Sequence, residues 1–177
     1  MNKNFKLVIF IFIFLVSINF VFAFQCNDGR VNDNDGKIDA NDRGCFTTDD
    51  NDEFGEPIGS LDGVQNCQNI FGWACDPNDF SQAIDVHLYV DGGAGAGTLL
   101  PVVKADVARE SQVGIACGNN PNNVNHGFSF PLPANLKDGK QHTVYAYAID
   151  IGSLSHNPEL QIVPKTFLCT IPPPECT

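Results

Sequence analysis

The chain has 177 residues, with ten Lys and Arg against 21 Asp and Glu for a formal charge of -11, and it carries seven cysteines. Without a basic block it lacks the electrostatic footprint of a protein that binds phosphate backbones, which argues against nucleic acid as a partner. Anionic membrane surfaces are disfavoured by the same repulsion.

Residues 1–23 open with Lys3 and Lys6, continue as a mostly apolar run from Leu7 to Phe22, and end at Ala23 with Val21 two positions before it. This is the layout of a secretory signal peptide cleaved after Ala23. The alternative is an uncleaved membrane anchor, since the apolar run of about 16 residues lies just below the usual lower limit for a spanning helix. The small residue at the cut and the polar chain beyond it favour cleavage, after which no stable membrane insertion is expected. Removal leaves eight basic against 21 acidic residues, a charge of -13 on 154 residues. The expected location is secreted or cell-surface, where disulfides persist. Cys26 and Cys45 bracket one Asp-rich loop, and Cys169 and Cys176 bracket a short Pro-rich tail, so these are the favoured pairs. Cys67, Cys75 and Cys117 are then left for one bridge and one thiol over. Zinc is not indicated, since there is no CxxC and no pair of histidines at ligand spacing.

Residues 24–56 are dense in Asp and Asn, and from Gln25 on they offer only Val31, Ile38, Phe46 and Phe54 as sizeable apolar side chains. Ordering such a backbone costs about 1 to 2 kcal/mol per residue with little burial in return, so a disulfide or a metal ion is needed. With Gly36 as the sixth position of a calcium loop, Asp33 and Asp35 fall at positions three and five. The Lys37 carbonyl then falls at seven, Asp39 at nine and Asp42 at twelve. Ca2+ suits this set because a hard cation accepts six to eight oxygens and offsets the repulsion among close carboxylates. Ile38 is expected to face inward. The run from Cys26-Asn27-Asp28-Gly29 through Asp33-Asn34-Asp35-Gly36-Lys37-Ile38-Asp39 to Gly44-Cys45 resembles thrombospondin type 3 repeats and dockerin-like calcium loops. Those families normally have Asp at the first loop position, where this chain has Val31. Either Asp28 or Asn32 substitutes there, or the site is weak.

Residues 57–169 change to short alternating runs separated by Gly, Pro, Asn and Asp. Ile84, Val86, Leu88 and Val90 alternate with Asp85, His87 and Tyr89, the period of a half-buried strand, and Asp91-Gly92-Gly93 follows as a turn. Phe128, Phe130 and Leu132 alternate likewise, and Val144, Ala146 and Ala148 oppose Tyr145, Tyr147 and Ile149. Weaker strands are predicted over 59–64, 69–75, 102–107 and 159–167. No helical apolar stripe appears outside the leader. The pattern predicts an all-β protein, a β-sandwich of about seven or eight strands. Residues 170–177, with Pro172-Pro173-Pro174, read as an extended tail.

Several phrases of this region together resemble an immunoglobulin-like β-sandwich module found in secreted bacterial proteins beside carbohydrate-active enzymes. They are Gly59-Ser60-Leu61-Asp62-Gly63, Ile70-Phe71-Gly72-Trp73-Ala74 with Asp76, Val86 to Gly92, His126-Gly127-Phe128 and Leu136 to Ala148. The resemblance implies an accessory unit that holds or recognises a polysaccharide or cell-surface glycan, and it implies no catalysis. Tyr89, Tyr145 and Tyr147 are the candidate ligand-binding residues, an outward aromatic surface. Trp73 is expected in the sandwich core and His126 as a hydrogen-bonded structural residue. Gly92 to Gly97 reads as a hairpin loop. His87, His142 and His156 show no partner at catalytic spacing, and the acids fall in turns where they should be exposed. No enzymatic constellation is recognisable. The chain is therefore read as a non-catalytic calcium-binding recognition module, against an alternative in which it is a calcium-stiffened structural or adhesive spacer.

Overall fold

The computed structural model describes residues 27–30, 38, 55–151, 157–160 and 164–170. The leader, the calcium-loop residues Asp33, Asp35, Lys37, Asp39 and Asp42, the cysteines Cys26, Cys45 and Cys176, and His156 lie outside the described residues. Of the Asp-rich segment, Ile38 is described, and at 42% exposure it does not face inward as expected.

The described residues form two antiparallel sheets. One has the order β1 (Ile58–Gln65), β2 (Asn69–Cys75), β7 (Asn125–Pro131), β6 (Val107–Ala108). The other has the order β4 (Thr98–Leu99), β3 (Asp85–Val90), β8 (Asp138–Ala148), β9 (Lys165–Thr170), with β5 (Val103–Lys104) also pairing with β3. Alternation decides which side chains meet between the sheets. Ile70 and Ala74 of β2, Phe128 of β7, Val86, Leu88 and Val90 of β3, and Val144, Ala146 and Ala148 of β8 share one buried core. Gly72 is paired with Phe128 across the ladder, and a Cβ there would come within 2.9 Å of the Phe128 Cε1 and would strike the Ser60 carbonyl. Glycine is required because the ring occupies the space where a side chain would project.

Among the described residues there are two disulfides. Gln65 to Gln68 form a turn in which Asn66 and Cys67 have φ of 50° and 55°, closed by a 2.8 Å bond from the Gln68 N–H to the Gln65 carbonyl. Two consecutive left-handed residues make this the primed turn that suits a twisted hairpin. Cys67 at its tip is bonded to Cys169 of β9, so the bridge joins the first hairpin of one sheet to the edge strand of the other. The second bridge, Cys75–Cys117, ties the end of β2 to the residue after the short helix α1 (Ser111–Ala116).

Several expectations are corrected. Cys169 pairs with Cys67 rather than Cys176, because the first and last strands lie against each other although they are 102 residues apart. Trp73 is not in the sandwich core. Its neighbours Gly72 and Ala74 point inward, so Trp73 faces the other side of β2 and packs half-buried with Phe80 on Cys75, Val113 and Cys117. The last strand begins at Lys165, and Glu159 contributes only an isolated bridge to Tyr147. The predicted strand over 102–107 divides into β5 and β6, which belong to different sheets.

Two acids are buried where exposure was expected. Asp76 is 0% exposed, and its carboxylate accepts the N–H groups of Asn78 at 2.9 Å and Ile151 at 3.0 Å, linking the end of β2 to the end of β8. Burial pushes its pKa up, against the pull of those two bonds. Asp150 is 4% exposed.

Candidate functional site

The outer face of the β3–β8 ladder is built by the side chains that alternate with the core residues. Tyr89 lies opposite Tyr145 in the register, and His87 lies opposite Tyr147. Such pairs are the closest neighbours on one face of an antiparallel sheet. The Tyr89 and Tyr147 rings are 5.6 Å apart at 89°, an edge-to-face contact in which each ring keeps a different orientation. All three tyrosines are half-buried.

A groove of about 360 Å³ opens on this face, lined by His87, Tyr89, Ala94, Tyr147, Ile149 and Asn157. Its size is at the lower end of small-ligand sites. Two of the three predicted tyrosines line it, while Tyr145 shares the face but lies outside the groove. One wall is the loop from β3 to β4, where the Ala96 and Gly97 N–H groups donate to the Gly93 carbonyl at 3.0 and 2.8 Å. A Cβ on Gly93 would sit 2.7 Å from the Tyr147 hydroxyl, so a side chain there would have to displace that hydroxyl. The loop rests on that hydroxyl, which accepts the Ala94 N–H at 3.3 Å and donates to Glu159 Oε2 at 3.1 Å. Burial, together with Glu159, pushes the Tyr147 pKa up, so the phenol keeps the proton it donates.

His87 and Ile149 were legible as groove residues, since they have the same parity as Tyr89 and Tyr147. Asn157 was not, because nothing in the local pattern places it beside β3.

At one end of the same ladder lies a contact that sequence spacing did not reveal. His142 Nδ1 is 2.8 Å from Asp91 Oδ2, and its Nε2 is 3.1 Å from Asp138 Oδ1. Asp91 precedes the groove loop with φ 58°, and its other oxygen accepts the Thr143 N–H at 3.0 Å. Asp138 also meets Lys140 Nζ at 3.1 Å. The two acids hold opposite ring nitrogens, so they cannot chelate a single ion with the imidazole between them. They instead favour the doubly protonated ring: the bond to Asp91 above all raises the His142 pKa, and Asp138 is lowered to about 2, chiefly by the Lys140 N–H that donates to it, with a smaller share from His142.

His126 behaves in the opposite sense. It is 1% exposed, and among the described residues neither ring nitrogen has a hydrogen-bond partner, which corrects the expectation that it would have one. Burial lowers its pKa.

These opposed shifts predict a stability maximum near pH 6.5, the ordinary histidine value. Below it the unfolded chain takes up the proton that buried His126 resists, so stability rises with pH up to 6.5. Above it the contribution of protonated His142 is lost as pH climbs through its raised pKa. Urea unfolding across the range should show this decline, and His142→Gln should flatten it. An unchanged decline in His142→Gln would refute the assignment.

Among the described residues no helix is long and apolar enough to cross a membrane, and no group of three or more His, Cys, Asp or Glu is placed to hold a metal ion. No protein-family model, curated protein or solved structure matches this chain.

Proposed function

We propose that this is a secreted or cell-surface, non-catalytic module of the immunoglobulin-like sandwich class that recognises carbohydrate through the Tyr89–Tyr147 groove. The observation that carries this reading is the groove itself, where an aromatic floor is rimmed by polar groups from His87, Asn157 and the Tyr147 hydroxyl. Sugars present an apolar ring face and hydroxyl edges, and such a surface complements both. An outer face of Thr, Asp and Lys would have favoured the purely structural or adhesive spacer. The immunoglobulin-like assignment is supported by the strand orders, since β1-β2-β7-β6 and β4-β3-β8-β9 follow the ABED and C′CFG orders of that class. Disulfides within the module fit an oxidising destination. The Asp-rich segment, with Asp33, Asp35, Lys37, Asp39 and Asp42 as Ca2+ ligands, precedes the groove domain as an ion-ordered element.

Binding to a broad glycan panel, run with calcium and with a chelator, tests the reading. Reproducible binding to one sugar class is expected, weakened about tenfold or more by Tyr147→Ala or Tyr89→Ala, and little changed by Tyr145→Ala. Loss under chelation would tie the Asp-rich segment to recognition. A blank panel under both conditions would leave the calcium-stiffened spacer as the better account.

A further inference from the structure

We infer that the groove, read as a carbohydrate site, selects an amine-bearing sugar, with its ammonium group at Glu159 and its ring face on Tyr89 and Tyr147. Three observations combine. First, the Glu159 carboxylate stands beside the groove at its Tyr147 wall. Tyr147 occupies one acceptor position on Oε2, while Glu159 is exposed and a carboxylate has about four such positions. Second, the two rings that line the groove stand at 89° to each other, so a ligand beside both can rest on the face of one of them. The face of a tyrosine ring attracts a cation through its quadrupole, most strongly where water is partly excluded. Third, among the described residues no Lys or Arg lines the groove, and the chain carries a charge of -11. An anionic sugar, bearing carboxylate, sulfate or phosphate, therefore meets repulsion from Glu159 with no Lys or Arg among these residues to offset it, and this repulsion supplies discrimination as much as the attraction does.

The selectivity lives in a residue distinct from those that supply the platform. The tyrosines hold any sugar with an apolar face, and Glu159 ranks the candidates by charge. An ion pair with the exposed Glu159 carboxylate, together with a tyrosine face beneath the cation, predicts a preference of about five- to tenfold over a neutral sugar, and one that shrinks as salt is added.

The test is calorimetric titration of the whole chain with three tetrasaccharides of the same linkage: one of glucosamine, one of N-acetylglucosamine and one of glucose. The pH is held where the free amine is protonated. The glucosamine tetramer should bind about fivefold or more tightly than the other two, and the preference should narrow in high salt. Glu159→Gln, which can still accept the Tyr147 hydroxyl, should remove the preference while leaving neutral-sugar affinity nearly unchanged. A thermal melt of the variant verifies that it is folded. Equal binding of all three sugars by the unmodified chain would overturn the amine inference and leave carbohydrate recognition standing. So would a preference that survives Glu159→Gln, since it would arise from diffuse surface charge. Failure of all three sugars to bind would overturn the inference, and a blank panel of other glycans would then remove the underlying reading as well.

Discussion

Replacing Cys67 and Cys169 together by Ala is expected to lower unfolding stability by about 4 to 5 kcal/mol. In the chain-entropy account a bridge stabilises by restricting the unfolded ensemble, and the effect grows with the logarithm of the loop closed. Here the separation is 102 residues, against 42 for Cys75–Cys117, so the first bridge should contribute about 4.7 kcal/mol and the second about 4. A typical domain has only about 5 to 15 kcal/mol in total, so loss of the longer bridge removes a large share. Position adds to the effect. Cys67 sits at the tip of the β1–β2 hairpin and Cys169 in β9, so the bridge prevents the two sheets from parting at that edge. Guanidinium unfolding of the double variant beside the unmodified chain measures this directly. Midpoints that coincide would mean that packing alone holds the edge. Binding in the groove should survive the substitution under conditions where the variant stays folded, because the β3–β8 ladder that carries Tyr89 and Tyr147 contains neither cysteine.

The second large effect is expected from Phe128→Ala, at about 3 to 5 kcal/mol. Phe128 is 2% exposed and is the largest fully buried side chain in the described core, reaching from β7 over the bare backbone of Gly72. Truncation removes its contacts with the facing sheet, and the well-packed surroundings can close only part of the resulting void. Phe128→Leu keeps most of the volume and should cost less than half as much. Gly72→Ala should be severe on its own and should not be rescued by Phe128→Ala, because the added methyl also meets the Ser60 carbonyl, which the ring does not control. Thermal melts of the three single variants and of the Phe128→Ala, Gly72→Ala double variant test the argument, and rescue in the double variant would contradict it.

Alternation made the central strands readable. Val86, Leu88 and Val90, with Val144, Ala146 and Ala148, are the two inner rows that meet at the core, and their partners Tyr89, Tyr145 and Tyr147 share the opposite face. Period-two patterning is a local property, set by the geometry of an extended backbone, so it survives without knowledge of the neighbours. The same rule, applied to Ile70, Gly72 and Ala74, assigns Trp73 to the outward face. The expectation of a core tryptophan failed because it followed the common place of a central-strand tryptophan in such sandwiches instead of parity.

By itself, then, the sequence determined the all-β class, the central strands with the side of β3 and β8 that faces the core, and which tyrosines stand outward, while the weaker runs at 102–107 and 159–167 and the face of Trp73 were not read correctly. Three further features were decided only by the tertiary structure. They are the Cys67–Cys169 pairing, the grip of Asp91 and Asp138 on His142, and the enclosure of the groove by Ala94 and Asn157. Each brings together groups from separate stretches of chain, the bridge across the two sheets and the other two within the β3–β8 sheet and its loops, and strand pairing places such groups side by side at any sequence distance. Local pattern records the direction in which a side chain points, whereas its partner is set by the order in which strands pair and by the loops that bring them into register.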